Sequence, residues 1–146
     1  MTVRINVPKP KRPQAVSRRI VGDLGGRAVH TIWTYGADSP FGVRVYFRPI
    51  GVTWEFARSL LFDGLTVPTG DGDVHFEPTD DDRHVAITLN SPDGEAEILF
   101  PIEDVRQFRN ITYAIVAAGT EPEPDLTEIE NVLRVAAEYR TGDGDW

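Results

Sequence analysis

Period-two alternation of apolar residues runs through much of residues 43–100 and gives way at Pro101 to apolar residues at helical spacing. Val43, Val45 and Phe47 face one way and Arg44, Tyr46 and Arg48 the other; Val52, Trp54 and Phe56 then share one face of the next strand. Two earlier strands are read over about 16–24 and 27–35. After a short helix over 57–62, ended by Asp63-Gly64, three more strands are read at 73–78, 84–90 and 95–100. Ser91-Pro92-Asp93-Gly94 joins the last two as a hairpin turn. Each strand reads as half-buried, which selects antiparallel pairing. Ile102, Val105, Phe108, Ile111 and Ile115 form the stripe of one helix, led by Pro101 with Glu103 and Asp104 at its positive end. Leu126, Ile129, Leu133 and Ala136 form the stripe of a second. Strands in series followed by helices in series define an α+β chain.

The 146 residues fit one domain large enough for a core without staples. There is no cysteine, which removes disulfides, thiolate metal sites and a cysteine nucleophile. The formal net charge of −8 is unevenly spread. Residues 1–48 hold nine Lys/Arg and two acids, a balance of +7, while residues 49–146 hold six Lys/Arg and 21 acids, a balance of −15. The acidic body repels a phosphate backbone. Residues 1–15, with Pro8, Pro10 and Pro13 among Lys and Arg, read as a loose basic arm, residues 16–140 as the domain, and 141–146 as a tail. No apolar run is long enough to span a bilayer, and MTVRINVPKPKRPQ lacks an apolar leader core, so the chain is expected to be cytoplasmic.

Motifs with chemistry are scarce. Neither GxGxxG nor GxxxxGK[ST] occurs, and no serine sits in a Gly-x-Ser-x-Gly turn. Asp73, His75 and Glu77, with His84 on the next strand, offer carboxylate and imidazole groups on an outward face, a pattern that strand alternation alone also produces. Thr-Gly-Asp-Gly-Asp at 69–73 and 141–145 supplies two carboxylates per copy, too few for calcium. No catalytic, metal or cofactor site is assigned. Arg58 and Asp73 form either a pair fixing the short helix against the hairpin or a partner contact. Trp54 and Phe56, on one strand face, read as core, with a docking surface for a partner as the alternative. Arg44, Tyr46 and Arg48 present charge and one ring outward, the elements of a single-stranded nucleic-acid face, and the acidic remainder argues against it.

Several phrases in order resemble the SsgA-like protein family of actinomycete sporulation and cell division. They are Asp38-Ser39-Pro40-Phe41, Trp54-Glu55-Phe56-Ala57-Arg58-Ser59-Leu60-Leu61, Gly64-Leu65, Pro68 with Gly70-Asp71-Gly72-Asp73-Val74, Ser91-Pro92-Asp93-Gly94-Glu95-Ala96, Phe108 with Thr112, and Gly119-Thr120-Glu121. They span about 17–135. The family usually has Asp where Ser59 stands and Leu where Arg109 stands. The resemblance implies a whirly-like fold of two antiparallel sheets packed across each other with C-terminal helices, and a homo-oligomer, expected as a trimer. It implies a non-enzymatic regulator of septation at division septa, acting with the FtsZ ring, a paralogous SsgA-like protein or septal wall synthesis. Asp38, Trp54, Phe56, Arg58, Gly72 and Asp73 carry the family signature. Similar folds that bind single-stranded DNA supply the alternative.

Overall fold

The structure, a computed structural model, describes residues 14–48 and 50–117. Within them the elements run β1 (Ala15–Leu24), β2 (Arg27–Gly36), β3 (Gly42–Phe47), β4 (Val52–Ala57), α1 (Arg58–Asp63), β5 (Thr69–Asp71), β6 (Val74–Pro78), β7 (His84–Ser91), β8 (Gly94–Pro101) and α2 (Ile102–Ile115). The α+β reading holds at this level: antiparallel strands followed by a helix. β5 is an addition. It has three largely exposed residues and none of the apolar alternation that marks the others. The basic arm up to residue 13, the second helical stripe, the acidic stretch Glu121–Glu130 and the tail lie outside the described residues.

Two separate sheets were expected, and the strands instead form one sheet in the order β4-β3-β2-β1-β8-β7-β6-β5. It consists of two antiparallel meanders, β1–β4 and β5–β8, joined where β1 meets β8 at the pair Asp23↔Leu99. Gly22 makes that junction possible, since a Cβ there would stand 2.6 Å from Ile98 Cγ2 and 2.8 Å from Phe100 Cε1. A glycine inside a strand marks such a close approach.

The sheet curls until its two halves face each other. Phe56 of β4 and Phe76 of β6 belong to opposite halves, yet their rings meet at 5.2 Å. Asp71 Oδ2 on edge strand β5 accepts a hydrogen bond of 2.7 Å from Ala57 N at the end of the other edge strand, β4. Apolar alternate residues of both halves fill the space between, and α2 adds Ile102, Val105 and Phe108. Trp33 is the hub. It is fully buried and meets Phe56, Phe100 and Phe108 edge-on at 5.8, 5.4 and 5.6 Å, so one side chain ties β2 to β4, β8 and α2. Its Nε1 donates to Thr31 Oγ1 (2.9 Å), which donates to the Ile20 carbonyl (2.6 Å), so the buried polar atoms are satisfied.

Antiparallel order places the β1–β2, β3–β4 and β7–β8 hairpins at one end of the curled sheet. α1 follows β4 and α2 follows β8, which places both helices toward the opposite end. α1 stops at Gly64 as expected, for a different reason. Gly64 has φ −72°, not a left-handed value. What requires glycine is space, because a Cβ would lie 2.5 Å from Phe76 Cβ and 2.7 Å from the Leu60 carbonyl oxygen.

Candidate functional site

Arg58 opens α1 and is 2 % exposed. Full burial of an arginine is rare unless its charge is met. Here Nη1 donates to the carbonyl of Thr112 (3.2 Å), in the last turn of α2, and to that of Val116, the residue that caps the helix. That turn carries no basic residue of its own. Arg58 thus brings a positive charge from another element to the negative end of the helix. The guanidinium also stacks near the rings of Tyr113 (4.6 Å) and Tyr35 (5.1 Å).

The surrounding bonds draw in several of the sequence phrases singled out above. Arg58 N donates to the Phe41 carbonyl (2.8 Å), and Tyr35 Oη to the Pro40 carbonyl (2.8 Å). Asp71 holds Ala57, the residue before α1. Thr112 is fully buried, and its Oγ1 donates back to the Arg109 carbonyl at 2.7 Å. Segments 35–41, 54–61, 69–74 and 112–116 therefore meet around one buried cation. Its chemistry is to hold two helices and a sheet edge in register.

The carboxylate of the glycine loop that reaches α1 is Asp71. Asp73, read as either a pair for Arg58 or a partner contact, lies half-buried in the β5–β6 turn, where its carbonyl accepts Asn90 N at 2.9 Å. Gly72 sits in that turn with φ +59°. Trp54 and Phe56 are buried in the core, and Asp38 is exposed in the β2–β3 connection. Asp71, Tyr35 and Tyr113 were missed as site residues. Alternation places Tyr35 on the core face beside Trp33, but nothing in the sequence indicates a cation beneath it.

His75 and Glu77 point outward from β6, while His84 turns to Asp81 (Nδ1–Oδ2 3.5 Å). Among the described residues no three His, Cys, Asp or Glu side chains cluster as metal ligands would. Asp81 organises the β6–β7 turn. It accepts from Thr79 Oγ1 and from Arg83 N (2.9 Å). These two bonds, with His84 helping, lower its pKa from 3.8 to about 2. A depressed carboxylate pKa stabilises the fold above the ordinary value, and that contribution is lost as pH falls through the folded value. Urea midpoints are therefore expected to fall between about pH 4 and pH 2, and Asp81→Asn should flatten part of that slope.

Arg44, Tyr46 and Arg48 lie on the outward face as expected, Tyr46 being 38 % exposed. Glu55 stands opposite Arg44 in the ladder with an N–O distance of 3.7 Å, which offsets part of the charge a phosphate would meet. No helix among the described residues is long and apolar enough to cross a membrane.

Similarity to known proteins follows the same segments. The chain is 41% identical over 102 residues to the sporulation-specific cell division protein SsgB of Kineococcus radiotolerans, covering 65% of this chain and 62% of that protein. It therefore spans about three fifths of that relative's length. It is 36% identical over 113 residues to SsgB of Salinispora tropica, covering 73% of this chain and 79% of that one. A solved SsgB structure, described with mutations that correlate to longitudinal cell division during sporulation of Streptomyces coelicolor, superposes with a TM-score of 0.68. The two share 34% identity over 79% of this chain and 98% of the other. The family of Streptomyces sporulation and cell division proteins, SsgA, matches residues 29–121, which run from within β2 through α2 and take in the bonds around Arg58; over more than half of its length, this chain belongs to the SsgA family.

Proposed function

We propose that the protein is a non-enzymatic adaptor of sporulation-specific cell division. It works at the septum on the FtsZ machinery or on septal wall synthesis, with an SsgA-like paralogue as the other candidate partner. The observation that carries this reading is similarity to SsgB proteins over most of the described fold. The location of Arg58 supports it: the most distinctive charged residue of the shared segment is occupied inside the protein rather than facing a substrate. In this reading the curled sheet corresponds to a whirly-like arrangement and the working form is a homo-oligomer, a trimer.

The test is time-lapse imaging of a fluorescent fusion in the native host through sporulation. Foci or bands at future septa, with or before the FtsZ ring, are the expected result. A diffuse or nucleoid signal overturns the reading. If single-stranded oligonucleotides then bind with steep salt dependence, lost in Tyr46→Ala, the outward β3 face becomes the site instead.

A further inference from the structure

The open end of the curled sheet holds a cavity of about 560 Å³, within the roughly 300–1,000 Å³ typical of ligand pockets, which favour barrel mouths. Its walls are apolar and come from three hairpins: Leu24 and Val29 from β1–β2, Ile50 and Trp54 from β3–β4, and Leu89 and Ile98 from β7–β8. Ile50 is 70% exposed and Leu24 39%, so the mouth leaves large apolar groups in water. The rim carries Arg27 on the β1–β2 side and Asp93 and Glu95 on the β7–β8 side. All three are exposed, and among the described residues none enters an ion pair; those pairs join Arg44 to Glu55, His84 to Asp81 and Arg106 to Glu103.

We propose that this mouth is a docking site for an extended peptide segment of a partner protein, one bearing a bulky apolar side chain between an acidic and a basic residue. The apolar side chain fills the cavity, the acid meets Arg27 and the base meets Asp93 and Glu95. The rim selects among occupants. A nucleic acid would bring phosphates against two carboxylates. Residues 49–146 of a second copy, with a balance of −15, would bring mostly acids to them. A small apolar molecule would leave the rim charges unmatched. The inference rests on the adaptor reading and adds to it where, and through what chemistry, the partner is held.

The experiment uses the full chain and its Ile50→Asp variant, a change at an exposed turn that leaves the core untouched. A library of short random peptides is panned on the wild type, and the selected peptides are titrated by fluorescence anisotropy. The expected result is peptides with the apolar-between-charges pattern that bind Ile50→Asp about tenfold or more weakly. Arg27→Glu should weaken them too and be rescued when the peptide's acid is changed to a base. Equal affinity for wild type and Ile50→Asp overturns the proposal. So does a change confined to oligomeric mass, which makes the mouth a contact between copies. So does anilinonaphthalene sulfonate binding that Ile50→Asp abolishes while no peptide is selected, which makes the occupant a small amphiphile. Imaging separates the two levels. A wild-type fusion absent from septa defeats the adaptor reading. A wild-type fusion at septa, with Ile50→Asp equal to it in recruitment and in peptide binding, defeats the mouth alone.

Discussion

Trp33→Ala is expected to lower the stability of the protein by about 3–5 kcal/mol, the range for emptying an aromatic site in a packed core. Total stability for a domain is only about 5–15 kcal/mol, so the variant should stand near the edge of folding at physiological temperature. The size follows from position. Trp33 touches β4, β8 and α2 through three edge-on ring contacts, and those elements come from both halves of the sheet and from the helix beneath it. No single movement can close the hole. Loss of Nε1 adds little, because Thr31 still donates to the Ile20 carbonyl. Urea denaturation gives the shift in midpoint at constant slope. A double-mutant cycle with Phe108→Ala should return a coupling of about 0.5–1.5 kcal/mol for that pair beyond additivity. A loss under about 1 kcal/mol would mean that the two halves do not meet over Trp33.

Much of this architecture was legible from spacing of two. Alternation located β3, β4, β6, β7 and β8, and the Ser-Pro-Asp-Gly turn located their last hairpin. It missed β5, because a strand of Thr-Gly-Asp has no apolar face to betray it. It also could not say whether the two meanders form one sheet or two. That depends on a junction between residues far apart in sequence, and the local trace it leaves is a glycine, Gly22, where a side chain would strike Ile98 and Phe100. The site was less legible for the same reason. Arg44 and Arg48 were read as outward from alternation, but the Glu55 that offsets Arg44 becomes its neighbour only through strand register. Asp71 rather than Asp73 reaches Ala57, the residue before α1, because Asp71 ends β5 while Asp73 lies beyond Gly72 in the β5–β6 turn. The apolar mouth is assembled from three hairpins, and no stretch of sequence contains it.

Arg58→Met should cost about 3 kcal/mol or more. Methionine keeps the stem's contacts with the core but removes the donor from two carbonyls at the end of α2, and hydrogen bonds from a charged donor are worth roughly 1.5–3 kcal/mol each. Arg58→Lys should recover part of this. A lysine can bring its ammonium to the carbonyls, but it lacks the planar guanidinium whose Cζ lies 5.1 Å from the Tyr35 ring and 4.6 Å from the Tyr113 ring. The expected order of urea midpoints is therefore wild type, lysine, methionine. Hydrogen exchange should place the added opening in the last turn of α2, with the strands less affected, because the lost bonds lie there. The comparison also separates structure from recognition. If Arg58 acts by positioning, Arg58→Lys should support septal localisation to the extent that it is folded, and lowering the temperature should restore both together. A lysine variant with the wild-type midpoint and unchanged α2 exchange, yet absent from septa, would overturn that account and make Arg58 a contact for the partner.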